Sequence, residues 1–333
     1  MIDVNELSPY SEMIQYDKMA SGVFPPYTML ANPSNVYSAG INTDEYGFRK
    51  SLYHGELLDL ESFTQFKSVS LIVGASTAFG VGASSDKTTI SSLLHEATGE
   101  SWLNLGIRGA VSIQEYIALI MHITKFKKVK KIFFVSGIND LYRNLTDSSI
   151  SKYDKRFSYL NESYSFYSAR RIAFAYLRSL LSRETVDQIL SPEEGVKKTL
   201  FDLEDALSIF EYQYTRNFLL YSALAKQLDC KITFGFQPFY HVAKKNGTKR
   251  EREAVARTEA LQVDSDWAIV RDRIIENIDF ASRMFEKLSE VHDFGYLDFN
   301  KLFSDDVDYF VDSVHLTDLG NRRIVELYNE HVG

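Results

Sequence analysis

The stretch that decides the fold is LIVGASTAFGVG, residues 71–82. It begins as an apolar run, typical of a strand buried on both faces, and ends in a glycine-rich turn. Ser76 lies in that turn, directly after the predicted strand. Gly74, Gly80 and Gly82 let the backbone turn sharply and expose the serine hydroxyl and amide. Ser76 is therefore either a nucleophile at the carboxyl end of a strand or a polar residue of a tight turn.

The turn differs from three familiar glycine-rich motifs. The G-x-S-x-G elbow needs a second glycine at position 78, where this sequence has alanine. The stretch also lacks the lysine of a P-loop and the glycine spacing of a dinucleotide-binding fingerprint. The turn therefore holds Ser76 in a geometry different from that of the G-x-S-x-G elbow.

Four further short segments share the apolar, β-branched or aromatic character of the first. The five predicted strands are residues 69–73, 102–105, 131–135, 231–236 and 296–299. Segments with helical periodicity lie between them. This alternation predicts an α/β fold with a doubly wound, flavodoxin-like, five-stranded parallel sheet sandwiched by helices, and ligands bind beyond the carboxyl ends of such strands.

One of the predicted helices is SIQEYIALIMHITKFKK, residues 112–128. Its apolar stripe is assigned from the spacing of residues at three- and four-residue intervals. The stripe consists of Ile113, Ile117, Ile120, Met121 and Thr124.

Two regions do not fit the alternation. Residues 1–50 are rich in turns and are predicted to form an N-terminal leader packed on the core, with residues 51–333 as one α/β domain. Residues 141–195, between the third and fourth strands, are predicted to be a helical insertion packed by its own aromatic side chains. For a few of these residues a lid over the site is the alternative.

The composition excludes several classes of function. Lys and Arg total 37 against 45 for Asp and Glu, a net charge of −8 that disfavours nucleic acid as a partner. The single cysteine, Cys230, rules out an internal disulfide and is predicted to be a small core residue. The first residues lack the features of a secretory signal, and the apolar runs are too short to span a bilayer, so a soluble cytoplasmic protein is expected. The scattered histidines suggest no metal, and no cofactor is expected.

A serine nucleophile needs a base, and His315 is the best placed of the seven histidines. In YFVDSVHLTDLGN, Asp312 precedes His315 by three residues, in a loop between the last predicted strand and the last helix. An aspartate at this spacing can accept from one ring nitrogen and leave the other facing outward. The other six histidines lie in predicted helices or in loops without a well-placed acid. D-x-x-H alone is also typical of a surface turn.

Two more loops follow predicted strands and offer groups for an oxyanion. NLGIRGAVS contains Gly109, whose amide can approach a ligand closely, and GIND contains Asn139, whose side-chain amide can donate. Each has a structural alternative. Gly109 can be a tight-turn residue, and Asn139 or Asp140 a helix cap.

Taken together, the motifs GASTAFG, NLGIRG, GIND and DSVHLTDLG occur in the order Ser76, Gly109, Asn139, Asp312, His315. This order resembles that of the SGNH hydrolases, the GDSL-type lipases and esterases, over residues 68–328. The flanking pieces INTDEYGFR, FGFQPFY and GYLDFNKLF resemble bacterial members linked to surface-polysaccharide or secondary-metabolite chemistry.

The resemblance implies a role for each motif residue. Ser76 would be the nucleophile, His315 the general base and Asp312 its orienting acid. The oxyanion hole would be the Ser76 amide, the Gly109 amide and the Asn139 side chain. The usual G-D-S reads Gly-Ala-Ser here, and this change removes a carboxylate that helps to order the loop.

The expected function is a serine-dependent ester hydrolase that removes acetyl or another short acyl group from a carbohydrate or small metabolite through an acyl-enzyme on Ser76. One alternative is an O-acyltransferase with the same triad, because both reactions share the acyl-enzyme. A catalytically degenerate protein that only binds a ligand is the other, motivated by Ala75. The expected partner is a small-molecule or carbohydrate ester. The sequence does not indicate the oligomeric state.

Overall fold

The computed structural model describes residues 31–146, 202–244, 246–260 and 267–332, together with five residues nearer the N-terminus, Tyr10, Met13, Tyr16, Met19 and Leu30. The insertion predicted at residues 141–195 lies outside the described residues except for its first six, which belong to a helix. The division into a leader and one domain stays a prediction.

Strands and helices alternate along the described chain. The strands are β1 (Ser51–Tyr53), β2 (Glu56–Leu58), β3 (Val69–Gly74), β4 (Trp102–Gly106), β5 (Val129–Ser136), β6 (Lys231–Phe236) and β7 (Gly295–Asp298). The helices are α1 (Leu60–Phe63), α2 (Ser76–Phe79), α3 (Ile90–Thr98), α4 (Ser112–Ile123), α5 (Ile138–Thr146), α6 (Leu203–Leu228), α7 (Tyr240–Ala243), α8 (Lys249–Ala260), α9 (Trp267–His292) and α10 (Asp318–Val332).

Strands β3 to β7 form one parallel sheet in the order β4-β3-β5-β6-β7. In chain order this is 2-1-3-4-5, the flavodoxin-like arrangement, so the predicted fold class is confirmed. Because β3 lies between β4 and β5, the segment after β3 is flanked by the segments after its two neighbours. The strand bounds differ slightly from the predicted ones, and Phe299 begins a 3₁₀ turn instead of ending β7.

Both faces of the sheet are covered, which explains why the strands are apolar at consecutive positions. Leu71 and Val73 of β3 contribute to the core beneath α4, α6 and α9. Ile72, between them, contributes to the core beneath α3 and α10. The alternation of side chains along a strand thus supplies two separate cores from one short sequence.

The apolar stripe predicted for the helix at 112–128 is wrong. Ile120 is 39% exposed and Met121 is 44% exposed. The residues that α4 buries are Ser112, Gln114, Glu115, Ala118, Leu119 and Ile123. Polar side chains can lie on the buried face because they have hydrogen-bond partners there. The Glu115 carboxyl, for example, accepts from the Ser136 hydroxyl at 3.0 Å.

Two expectations from the composition can be compared with the structure: one concerns helices that could span a membrane, and the other concerns the burial of Cys230. Among the described helices, none combines the length and the apolar character needed to cross a membrane. Cys230 is half-buried and packs against the larger core, where burial raises the pKa of its thiol to about 11.

Residues just before β1 are tied to the sheet by buried polar contacts. The Asn32 side-chain amide donates to the carbonyl oxygens of Gly47 and Gly106, at 3.0 Å each. Its carbonyl oxygen accepts from the Arg108 amide at 2.9 Å. Asn32 therefore connects the N-terminal segment to the loop that follows β4.

The strongest anchor of this segment is Arg49, whose side chain is fully buried. Its Nε lies 2.6 Å from the Asp86 carboxylate. Its Nη1 donates to the Tyr16 hydroxyl at 2.7 Å and to the Gly80 carbonyl at 2.8 Å. The Tyr16 hydroxyl also donates to the Gly80 carbonyl, at 2.5 Å. A buried ion pair thus fixes the end of the turn that contains Ser76.

We expect Arg49→Met to be strongly destabilising because it leaves the Asp86 carboxylate buried without its cation. The loss should be about 3–5 kcal/mol in the free energy of unfolding, measured by urea denaturation. The matched control is Arg323→Met on α10, which removes partly exposed ion pairs with Glu326 and Glu330 and should cost at most about 1 kcal/mol. Equal losses in the two variants would contradict the anchoring role of Arg49.

Candidate active site

The turn after β3 requires glycine at its first position. Gly74 has φ +154°, and a Cβ built on it would lie 2.2 Å from the carbonyl oxygen of Val135 in β5. Only glycine lets the chain leave the sheet this close to the neighbouring strand. Helix α2 then begins at Ser76, which places its hydroxyl at the carboxyl edge of the sheet.

The loop that contains His315 is a tight structure before α10. Phe310 and Leu316 form an antiparallel bridge that closes it. Inside the loop, Oδ1 of Asp312 accepts from the backbone amides of Val314 and His315, at 2.8 Å each. The aspartate therefore holds both the backbone of its own loop and, through its second oxygen, the imidazole.

The structure brings together Ser76, His315 and Asp312. Nε2 of His315 lies 2.7 Å from Oγ of Ser76, 239 residues away along the chain, and Nδ1 lies 2.6 Å from Oδ2 of Asp312. An ionised carboxylate only accepts hydrogen bonds, so Nδ1 carries a proton, and whenever the ring is neutral Nε2 is left to accept from the serine hydroxyl. This tautomer is the one that can take a proton from Ser76.

Asp312 is ionised in this arrangement although it is buried. Burial raises the pKa of its carboxyl, but the positive charge and hydrogen bond of His315, with the two backbone amide donors, outweigh burial and hold the pKa below its usual value of 3.8. The carboxylate thus remains charged where it contacts the imidazole.

Several contacts hold the His315 loop against the Ser76 turn. The Val314 carbonyl accepts from the Thr77 hydroxyl at 3.2 Å and from the Gln237 side-chain amide at 3.3 Å. A Cβ on Gly82 would lie 2.2 Å from the carbonyl oxygen of Leu316, so the loop rests directly on this glycine. Sequence reasoning treated Gly82 only as a turn residue and missed both Thr77 and Gln237.

A further contact lies at the start of α10. The amide of Ser84 donates to Oδ1 of Asp318 at 2.8 Å, and its hydroxyl donates to Oδ2 at 2.5 Å. Ser84 follows the Ser76 turn, and Asp318 follows the His315 loop. The two segments are therefore joined at both ends, and the sequence held no indication of this pair.

The two predicted oxyanion loops contact each other beside the triad. The Asn139 side-chain amide donates to the carbonyl of Ala110 at 2.7 Å, and Gly109, the preceding residue, has φ +73°. Among the described residues, the amides of Ser76 and Gly109 have no hydrogen-bond acceptor. Because β3 lies between β4 and β5, Ser76 is flanked by both loops.

The structural alternatives weighed for these loops are resolved in part. Helix α5 begins at Ile138, so Asn139 lies inside its first turn and reaches the neighbouring loop instead of capping its own helix. Asp140 accepts from the Ser112 amide at 3.0 Å and so satisfies the first turn of α4, a different helix from its own. The positive φ of Gly109 also fits a tight turn.

One sequence expectation about the other histidines is wrong. His241, assigned to a position without a well-placed acid, lies 2.6 Å from Oε1 of Glu259. The same carboxylate oxygen accepts from the Ser313 hydroxyl at 3.0 Å, so the pair lies beside the His315 loop. The acid is in α8, 18 residues away, and its position depends on the tertiary structure.

Side chains that could bind a metal ion do not cluster in the part of the chain that the structure describes. There, no group of three or more His, Cys, Asp or Glu side chains is arranged to hold a metal ion.

Comparison with known proteins gives only distant likenesses. No family model and no curated protein matches the sequence. The acetyl xylan esterase AlAXEase is 12% identical over 79% of this chain and 99% of its own, with a TM-score of 0.39. An extracellular lipase from Streptomyces rimosus is 12% identical over 80% of this chain and 100% of its own, with a TM-score of 0.42. A member of the lipolytic G-D-S-L family from Veillonella parvula is 10% identical over 80% of this chain and 98% of its own, with a TM-score of 0.39. Likenesses at this level assign no activity to the chain.

The Asp312 pKa predicts a pH-dependent contribution to stability. A carboxyl whose pKa is lower in the folded than in the unfolded state stabilises the fold above its unfolded pKa, and this contribution is lost as the pH falls through the folded pKa. The free energy of unfolding of the wild type should therefore decline relative to that of Asp312→Asn from about pH 5 to about pH 3. Urea denaturation of both proteins over this range measures the difference. A constant difference would show that Asp312 is not held ionised by its partners.

Proposed function

We propose that this protein is a serine-dependent ester hydrolase of the SGNH type. The observation that carries the proposal is the 2.7 Å contact from Ser76 Oγ to His315 Nε2, with Asp312 on the other ring nitrogen. A protein that kept the fold only to bind a ligand would not need this contact.

In the first half-reaction, Ser76 Oγ attacks the ester carbonyl carbon while His315 Nε2 takes the serine proton. The carbonyl oxygen becomes an oxyanion, held by the amides of Ser76 and Gly109 and by the second hydrogen of the Asn139 amide. When the intermediate collapses, the ester C–O bond breaks, and His315 returns its proton to the leaving alcohol. The acyl group stays on Ser76.

In the second half-reaction, His315 takes a proton from water as the water attacks the acyl-enzyme. Collapse releases the carboxylic acid and restores the serine hydroxyl. A sugar hydroxyl in place of water would give acyl transfer, so the alternative as an O-acyltransferase depends on which acceptor the pocket admits.

We further propose that the acyl group is acetyl or another short chain, carried by a carbohydrate or a small metabolite. Support comes from the burial of Ser76, which is 7% exposed among the described residues, since a buried hydroxyl favours a small acyl group. Intact-mass detection of adducts on Ser76, after exposure to acetylated sugars and to longer acyl esters, distinguishes chain length and acceptor. A cytoplasmic location stays a prediction.

Ser76→Ala should abolish esterase activity because it removes the attacking oxygen. With p-nitrophenyl acetate we expect kcat to fall by about a thousandfold or more, and labelling by a fluorophosphonate probe to disappear. The matched control is Ser222→Ala on α6, a serine with the same 7% exposure, which should retain both activity and labelling. Turnover unchanged in Ser76→Ala would refute the proposed function.

Asn139→Ala should lower kcat by about a hundredfold with little change in KM, because the lost donor acts on the oxyanion and not on the bound ester. The matched control is Asn277→Ala on α9. The side chain of Asn277 also donates to a backbone carbonyl, that of Arg273 at 2.8 Å, but it does not belong to the site. Steady-state kinetics of the two variants measures the effect. Equal kinetics would remove Asn139 from the oxyanion hole.

A further inference from the structure

Two acidic side chains are buried next to the oxyanion loops. Asp140 of α5 is 4% exposed and Glu115 of α4 is 1% exposed. Neither forms an ion pair with any described residue. A buried carboxylate without a cation is costly unless hydrogen bonds stabilise it or it takes up a proton.

Asp140 has the hydrogen bonds of a charged group. Its carboxylate accepts from the Ser112 hydroxyl at 2.7 Å, from the Ser112 amide at 3.0 Å and from the Tyr214 hydroxyl at 3.1 Å. Burial raises the pKa of this carboxyl, and donors of this kind oppose that effect because they favour the ionised form. Ser112 is the first residue of α4, where the helix dipole also favours a negative charge.

Glu115 has the contacts of a neutral acid. Its Oε1 lies 3.0 Å from the Ser136 hydroxyl, and its Oε2 has no hydrogen-bond partner. Burial raises the pKa of this carboxyl well above its usual value, and the charge of Asp140 adds to the effect. The Ser136 hydroxyl, which donates to Oε1, also lies 3.4 Å from the Tyr214 hydroxyl, and Tyr214 donates to Asp140. The hydrogen bonds thus favour a negative charge on Asp140 more than on Glu115.

Hydrogen bonds from α5 place the Asp140 carboxylate beside the loop that follows β4. Asn139 and Asp140 are consecutive, and they hold Ala110 and Ser112, respectively. Gly109 directly precedes the segment from Ala110 to Ser112 that these two contacts hold. Asn217 of α6 supports the clamp by donating to the Ser112 hydroxyl at 2.7 Å.

We propose that Asp140 is a positioning residue of the oxyanion hole, whose carboxylate fixes the Gly109 loop relative to Asn139. This inference rests on the proposed function. Without the Asp140–Ser112 contacts, the loop would keep the Asn139 contact to α5 but lose the second anchor, and the Gly109 amide would be held less firmly in its direction. A donor that is displaced by a fraction of an ångström stabilises the transition state less while the substrate still binds.

The test is Asp140→Asn, which replaces one accepting oxygen by a donating NH₂ group opposite Ser112 and Tyr214. We expect kcat to fall by about tenfold or more at unchanged KM. The matched control is Glu115→Gln, which exchanges a neutral acid for a neutral amide of the same shape and should leave kcat unchanged. Active-site titration with a fluorophosphonate counts the functional enzyme, so a lower folded fraction is not mistaken for a lower kcat.

A double-mutant cycle separates positioning from general destabilisation. If Asp140 acts through the oxyanion donors, Asp140→Asn combined with Asn139→Ala should lose about tenfold less activity than the product of the single losses. Should Asp140→Asn not fold, Ser112→Ala is the second variant, since it removes the hydroxyl contact and keeps the amide. It should also lower kcat at unchanged KM.

The outcomes distinguish the two proposals. If Ser76→Ala stays active, the proposed function is wrong. If Ser76→Ala and Asn139→Ala are impaired while Asp140→Asn retains full kcat per titrated site, only the positioning role is wrong. Full additivity in the cycle, or an equal loss in Glu115→Gln, would also overturn it.

Discussion

The structure depends on one contact between distant parts of the chain, the meeting of the Ser76 turn with the His315 loop. A hydrogen bond of 2.7 Å between residues 239 positions apart persists only if both backbones are held independently. Gly82 lets the loop rest on the turn, and the Ser84–Asp318 pair joins the two segments beyond it. The contact between Ser76 and His315 is therefore one part of a longer interface between the two segments.

The parallel sheet makes this convergence possible. In the order β4-β3-β5, the strand that carries Ser76 is central, so the loops with Gly109 and Asn139 approach it from either side. The carboxyl ends of parallel strands collect polar groups at one edge while the strands themselves remain apolar. Ser76, His315 and Asp312 meet at this carboxyl edge of the sheet.

Much of this was predictable from the sequence, for identifiable reasons. Strands buried on both faces leave consecutive apolar residues, so the five strands and their order of appearance could be predicted, and the Asp312–His315 spacing indicated a local loop. The burial of Glu115 could not be predicted, because the isoleucines of α4 suggested another face and its hydrogen-bond donor among the described residues, Ser136, comes from a distant strand. Long-range partners such as Glu259 of His241 leave no local pattern.

The alanine at position 75, which replaces the aspartate of the usual G-D-S, fits the burial of this position. The residue is 1% exposed, so a carboxylate at this position would be buried and would need donors or a cation of its own. The turn is ordered instead from the opposite end, where Arg49 and Tyr16 both donate to the Gly80 carbonyl and Asp86 balances the guanidinium charge. A buried ion pair thus orders the turn at Gly80, four residues beyond Ser76. Alanine at position 75 also places no additional carboxylate beside the site where the proposed oxyanion forms, and Asp140, whose carboxylate lies near the same loops, accepts from three donors.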